Sequence, residues 1–109
     1  MDKRSNERLN IAHEAEIISD GKSFAGTIEN VSESGIGYII TSSMQNPDEF
    51  SPEKVISLSF KVPSGDTVSV NCRIVWLAKS LPDGKTLTLG MKLVDIPHEY
   101  REWINNLFN

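Results

Sequence analysis

At 109 residues the chain is long enough to bury one core and too short for two, so it reads as a single domain. Lys and Arg total 11 against 15 Asp and Glu, a net charge of −4, which excludes broad, non-specific binding to DNA or RNA because that mode needs a basic face to release counterions. The single Cys72 cannot close an internal disulfide, no His pair or second thiol stands at metal-ligand spacing, and no apolar run approaches the ~18 residues of a membrane span; a cytoplasmic protein without membrane insertion is expected.

Residues 1–8 lack apolar periodicity and read as a flexible arm, with residues 9–109 as the folded body. Ile11, His13, Ala15 and Ile17 share one face of a first strand, Asp20-Gly21 supplies a hairpin turn, and Phe24, Gly26 and Ile28 share a face of a second. Ile36, Tyr38 and Ile40 mark a third strand, and residues 42–53, with two prolines and several acids, form the longest loop. Ile56, Leu58, Phe60 and Val62 alternate in a fourth strand that ends at Pro63-Ser64-Gly65-Asp66. Val68, Val70, Cys72, Ile74 and Trp76 then alternate in a long fifth strand, which places Trp76 in the core and makes Cys72 an inert small hydrophobe. Pro82-Asp83-Gly84-Lys85 turns the chain into a sixth strand with Leu87, Leu89, Met91 and Leu93 inside. From Ile96 the period changes: Tyr100, Trp103, Ile104, Leu107 and Phe108 fall on one helical stripe, with Asp95 as the expected cap and Pro97 in the first turn. The fold class is therefore all-β, a six-stranded antiparallel barrel that hides its edges by closure and carries a C-terminal α-helix.

Chemistry-bearing residues are few. His13 and His98 stand alone in the sequence, and no paired carboxylates, nucleophile elbow or P-loop are found, so an enzyme is not expected. Two short patterns stand out instead. Arg4-Ser5-Asn6-Glu7-Arg8 sets two guanidiniums four residues apart in the arm, and Asn30-Val31-Ser32-Glu33-Ser34-Gly35 sets an amide, a hydroxyl and a glycine in the turn after the second strand. Arginine offers a planar fork that matches phosphate oxygens or the O6/N7 edge of guanine, while a serine hydroxyl and turn N–H groups supply shorter-range donors. Together they suit a guanine nucleotide held by its phosphates. The plainer reading makes the arginines a solvated tail and Asn30, Ser32 and Gly35 ordinary turn residues, with Gly35 at a positive φ.

The order RxxxR, then (D/N)xSxxG, at the front of a small all-β chain resembles the PilZ domain, the bacterial receptor module for the second messenger cyclic di-GMP. Arg4 and Arg8 fit the first motif; Asn30, Ser32 and Gly35 fit the second. The resemblance implies a non-catalytic receptor with cyclic di-GMP as ligand and no cofactor. Arg4 and Arg8 would contact phosphate oxygens and a guanine edge, Asn30 and Ser32 would hydrogen-bond guanine or phosphate from the barrel rim, and Gly35 would let the backbone approach without a Cβ in the way. Ligand would draw the arm against the barrel and change a surface seen by a downstream protein partner that the sequence does not name. The alternative is a PilZ-like adaptor without nucleotide, acting in pilus or motility assemblies. A barrel for single-stranded nucleic acid fits poorly, since basic residues do not interleave with exposed aromatics. Glu7 and Glu33 fall inside the motifs and weaken anion binding slightly in water-like surroundings.

Overall fold

The computed structural model describes residues 8–41, 49–79 and 86–108. Arg4 with the other arm residues up to 7, most of the long loop, and the turn at 82–85 lie outside the described residues, whereas Arg8 is described. The alternating segments become β1 (Leu9–Ser19), β2 (Lys22–Val31), β3 (Gly35–Ile40), β4 (Val55–Lys61), β5 (Thr67–Lys79) and β6 (Leu87–Leu93), followed by α1 (His98–Phe108). All neighbours pair antiparallel in the order β1-β2-β3-β6-β5-β4, and β4 pairs back onto β1 to close the barrel.

Successive side chains on a strand point to opposite faces, so one in two turns inward. Ile17, Ile28, Ile36, Tyr38, Leu58, Ile74 and Leu89 are fully enclosed, each contributing about 1.5–3 kcal/mol of hydrophobic stabilisation. Cys72 lies among them, and burial pushes its thiol up to about 12, in keeping with a packing role. The β1–β2 hairpin turns through Asp20 (φ 52°) and Gly21 (φ 78°), the pair of positive values that a two-residue turn needs to match strand twist. Of the long loop, Phe50 packs edge-on to Phe24 with centroids 5.1 Å apart and joins the core, while the Lys54 ammonium holds Asp20 at 3.0 Å and the Glu49 carbonyl at 2.7 Å.

Gly26 makes the inner packing possible. A Cβ there would overlap the Ile39 carbonyl oxygen and stand 2.6 Å from the Tyr38 ring, whose hydroxyl is shared between the carbonyls of Ala15 (2.8 Å) and Phe24 (3.1 Å). Gly26→Ala is therefore expected to overpack the barrel by about 1–3 kcal/mol and lower the melting temperature by roughly 5–20 °C, as measured by thermal unfolding.

α1 closes one end of the barrel with Tyr100, Trp103 and Ile104 buried. Trp103 lies against Phe60 (centroids 4.5 Å), and His13, solitary in the sequence, sits between strand and helix with its ring edge towards both aromatics (5.6 and 5.4 Å). The His13 Nε2–H donates to the Lys61 carbonyl at 2.6 Å. The helix begins later than expected. Tyr100 and Arg101 N–H both donate to the Pro97 carbonyl (3.1 and 3.2 Å), so Pro97 is the flanking residue and Asp95 lies outside the cap. The reason is tertiary: Leu93 and Val94 N–H are still tied to the Ser34 and Asn71 carbonyls at 2.9 and 2.8 Å, so the chain needs residues 95–97 to turn onto the barrel end.

Trp76 also departs from expectation. It is not in the core but 50% exposed on the outer face. Ile74 pairs with Met91 and Trp76 with Gly90, so Val75 is an extra, bulged residue that shifts the alternation by one and gives the inward position to Leu77. A second bulge does the same on β2, where Ile28 pairs with Tyr38 and Asn30 with Gly37, leaving Glu29 unopposed and Asn30 outward.

Candidate functional site

The two bulges lie at opposite ends of one row across the sheet. Asn30 on β2 pairs with Gly37 on β3, Gly37 with Gly90 on β6, and Gly90 with Trp76 on β5. Three strand spacings separate the ends, roughly 14 Å. Side chains stand at both ends and glycines form the floor. A Cβ on Gly37 would come within 2.6 Å of the Asn30 amide, and one on Gly90 would overlap the Trp76 indole, so both side chains lie down over the glycines. The result is a trough of about 640 Å³ on the outside of the barrel.

The second sequence motif builds one end of it. Ser32 is 4% exposed; its N–H donates to the Gly35 carbonyl at 2.9 Å, and its Oγ accepts the Gly35 N–H at 3.0 Å. The serine hydroxyl thus closes the turn that leads from β2 to β3. Among the described residues φ is positive at Asp20, Gly21, Glu53 and Gly65 but not at Gly35, so Gly35 is needed for space and not for handedness. A Cβ there would stand 3.3 Å from Arg8 Nη1, the Met91 carbonyl and Ser32 Oγ. Arg8 lies directly over this gap, and its Nε donates to Asn30 Oδ1 at 2.8 Å.

Four of the five expected site residues, Arg8, Asn30, Ser32 and Gly35, therefore converge on one end of the trough, and Arg4 lies outside the described residues. Glu33 turns away, lining a separate cleft with Arg101 and Asn105 of α1. Sequence reading missed the other end. Trp76 supplies an exposed aromatic face, and Lys92 lines the trough two residues along β6 from Gly90, between its strand partners Gly35 and Arg73. Thr88 adds a hydroxyl and Glu29, the bulged residue, a carboxylate on the rim. The run Val75-Trp76-Leu77, three apolar residues in succession, is the signal in the sequence that strict alternation fails there.

Chemically, the trough offers a guanidinium fork, an amide, an ammonium and an indole over a floor without side chains. That set suits a flat, anionic, aromatic ligand: charge-assisted donors meet phosphates, and an open aromatic face stacks a base. A groove of about 680 Å³ runs along β1 and β2 beside His13, but its lining holds Glu14 and Glu16 against the one cation Lys61, so it is a poor anion site.

The chain belongs to the PilZ domain family, whose model matches residues 2–109. No curated protein matches it by sequence. Among solved structures it is similar to the Bacillus subtilis inhibitor of motility MotI/DgrA (TM-score 0.73, 10% identity, 93% of this chain and 47% of that one). It is also similar to Borreliella burgdorferi PlzA in complex with c-di-GMP (0.71, 11%, 97% and 51%) and to the PilZ domain of Escherichia coli YcgR with c-di-GMP (0.71, 10%, 94% and 86%). At these identities the likeness is one of fold. The chain spans about half the length of the first two proteins. Among the described residues no helix is long and apolar enough to cross a membrane.

Proposed function

We propose that this chain is a non-catalytic bacterial receptor for cyclic di-GMP, working in the cytoplasm and held to its ligand by the glycine-floored trough. The observation that carries the reading is the single row Asn30–Gly37–Gly90–Trp76, with Arg8 bonded to Asn30 at one end and an open indole at the other. Arg8, together with Arg4 from the arm, meets phosphate oxygens and a guanine edge; Asn30 offers hydrogen bonds from its amide, and Ser32 and Gly35 hold the turn that shapes this end; Trp76 stacks a base; Lys92, the strand partner of Gly35, adds charge. The family membership and the complexes of two structural neighbours with c-di-GMP support the same ligand.

Residues 1–8 then act as a ligand-binding arm on the body 9–109. Fixing them costs about 1–2 kcal/mol per residue in chain entropy, which charge-assisted contacts to the nucleotide offset, so binding orders the arm and alters a surface available to a protein partner. Isothermal calorimetry and amide exchange on the same sample test this. Cyclic di-GMP should bind with micromolar or better affinity, GMP and cyclic di-AMP should compete weakly, and amides of residues 2–8 should slow when nucleotide is added. Absence of both heat and thermal shift at about 100 µM cyclic di-GMP, far above a micromolar Kd, would replace the receptor with a nucleotide-free adaptor.

A further inference from the structure

Helix α1 reaches the turn that builds the trough. Tyr100 is 0% exposed, and its Oη donates to the Ser32 carbonyl at 2.8 Å, across 68 residues of sequence. Ser32 is the hub of that turn: its N–H and Oγ are both engaged with Gly35, and the next carbonyl but one, Ser34, accepts the Leu93 N–H at 2.9 Å. Every polar group of Ser32 is thus committed, and the only one committed to α1 is its carbonyl. Burial keeps the Tyr100 hydroxyl protonated well above the ordinary phenol range, with the neighbouring Cys72 adding to the effect and Arg8 opposing it, so it remains a donor at any physiological pH. The same turn carries Glu33 on its outer side, where a cleft of about 240 Å³ separates it from Arg101 and Asn105.

We propose that Tyr100 is a positioning residue for the nucleotide site, setting the Ser32–Gly35 turn from the helix, so that docking of α1 and occupancy of the trough are one coupled equilibrium. The proposal rests on the receptor reading and adds the element through which occupancy is felt. Without the phenol hydrogen bond, the buried Ser32 carbonyl loses its donor and the turn can relax, which moves Asn30 and the space over Gly35 relative to Arg8. Coupling of this kind is reciprocal. If a docked helix favours the ligand-ready turn, then ligand tightens the helix, and a partner that pulls on the Glu33–Arg101 cleft lowers nucleotide affinity by the same factor.

Tyr100→Phe tests the idea, since it keeps the ring and removes only the hydroxyl. Cyclic di-GMP affinity measured by calorimetry well below the melting temperature should fall about 3- to 10-fold, the range that one hydrogen bond commands. Ile17→Val, a comparable loss of stability on β1 away from the trough and from α1, should leave affinity unchanged. In the wild-type protein, nucleotide should slow amide exchange along His98–Phe108, and the slowing should be absent in Tyr100→Phe. Wild-type affinity in Tyr100→Phe, or equal weakening in both variants, overturns the positioning role while leaving the receptor intact. Should Tyr100→Phe not fold, helix exchange that ignores nucleotide in the wild type overturns it as well. A wild-type protein that binds no cyclic di-GMP overturns the receptor reading first.

Discussion

Arg8→Ala is expected to weaken cyclic di-GMP binding about 5- to 150-fold, the loss of a bidentate contact worth about 1–3 kcal/mol. The melting temperature of the free protein should hardly move, because Arg8 is exposed and precedes the first strand. The structure adds a reason why lysine cannot replace it. Arg8 Nε is engaged with Asn30 Oδ1, so the Nη edge is the part left to meet an anion, and one side chain both anchors the site and reads the ligand. A lysine has a single nitrogen and cannot do both. Arg8→Lys should therefore bind nearly as poorly as Arg8→Ala, although the charge is kept. Calorimetry on the two variants beside thermal melts checks this, and a melting temperature that falls in step with affinity would show Arg8 to be structural instead.

Most of the barrel was legible in the sequence because a half-buried strand writes its faces as an alternation of apolar and polar residues. Ile56-Leu58-Phe60 and Val68-Val70-Cys72-Ile74 each point inward as that pattern demands, and Asp20-Gly21 turns where its chemistry allows two positive φ values. Tyr100, Trp103 and Ile104 likewise fall on the helical stripe that their spacing predicts. What alternation cannot show is a bulge, since an extra residue is defined by how the partner strand counts. Val75 and Glu29 are extra only relative to Met91–Gly90 and Tyr38–Gly37, and their consequence is to turn Trp76 and Asn30 outward onto one row. The candidate site divides along the same line. Arg8, Asn30, Ser32 and Gly35 could be read because two short motifs hold them; Gly37, Gly90, Trp76 and Lys92 come from three strands far apart in sequence, and only the register makes them neighbours. Asp95 failed as a cap for a related reason, as strand pairing past Leu93 delays the helix in a way that no local signal records.

The glycine floor leads to a result that strand propensity alone would not suggest. Valine is among the best strand formers and glycine among the worst, so Gly90→Val on an outer-facing position of β6 ought to hold or raise stability on local grounds. Yet a Cβ at residue 90 would occupy the space of the Trp76 indole, an exposed side chain that can swing away without disturbing the core. The expected outcome is a folded, undiminished barrel whose trough is filled and whose stacking face is gone. Base–aromatic stacking is worth about 1–3 kcal/mol, so Trp76→Ala should weaken cyclic di-GMP about 5- to 150-fold, and Gly90→Val at least as much because it also raises the floor. Tryptophan fluorescence reports the geometry directly, since of the two tryptophans Trp103 is buried and Trp76 is exposed. Nucleotide should quench the exposed component in the wild type and leave Gly90→Val emission unchanged. If Gly90→Val binds and quenches as the wild type does, the ligand does not lie on the Asn30–Trp76 row, and the arginine end of the trough must hold it alone.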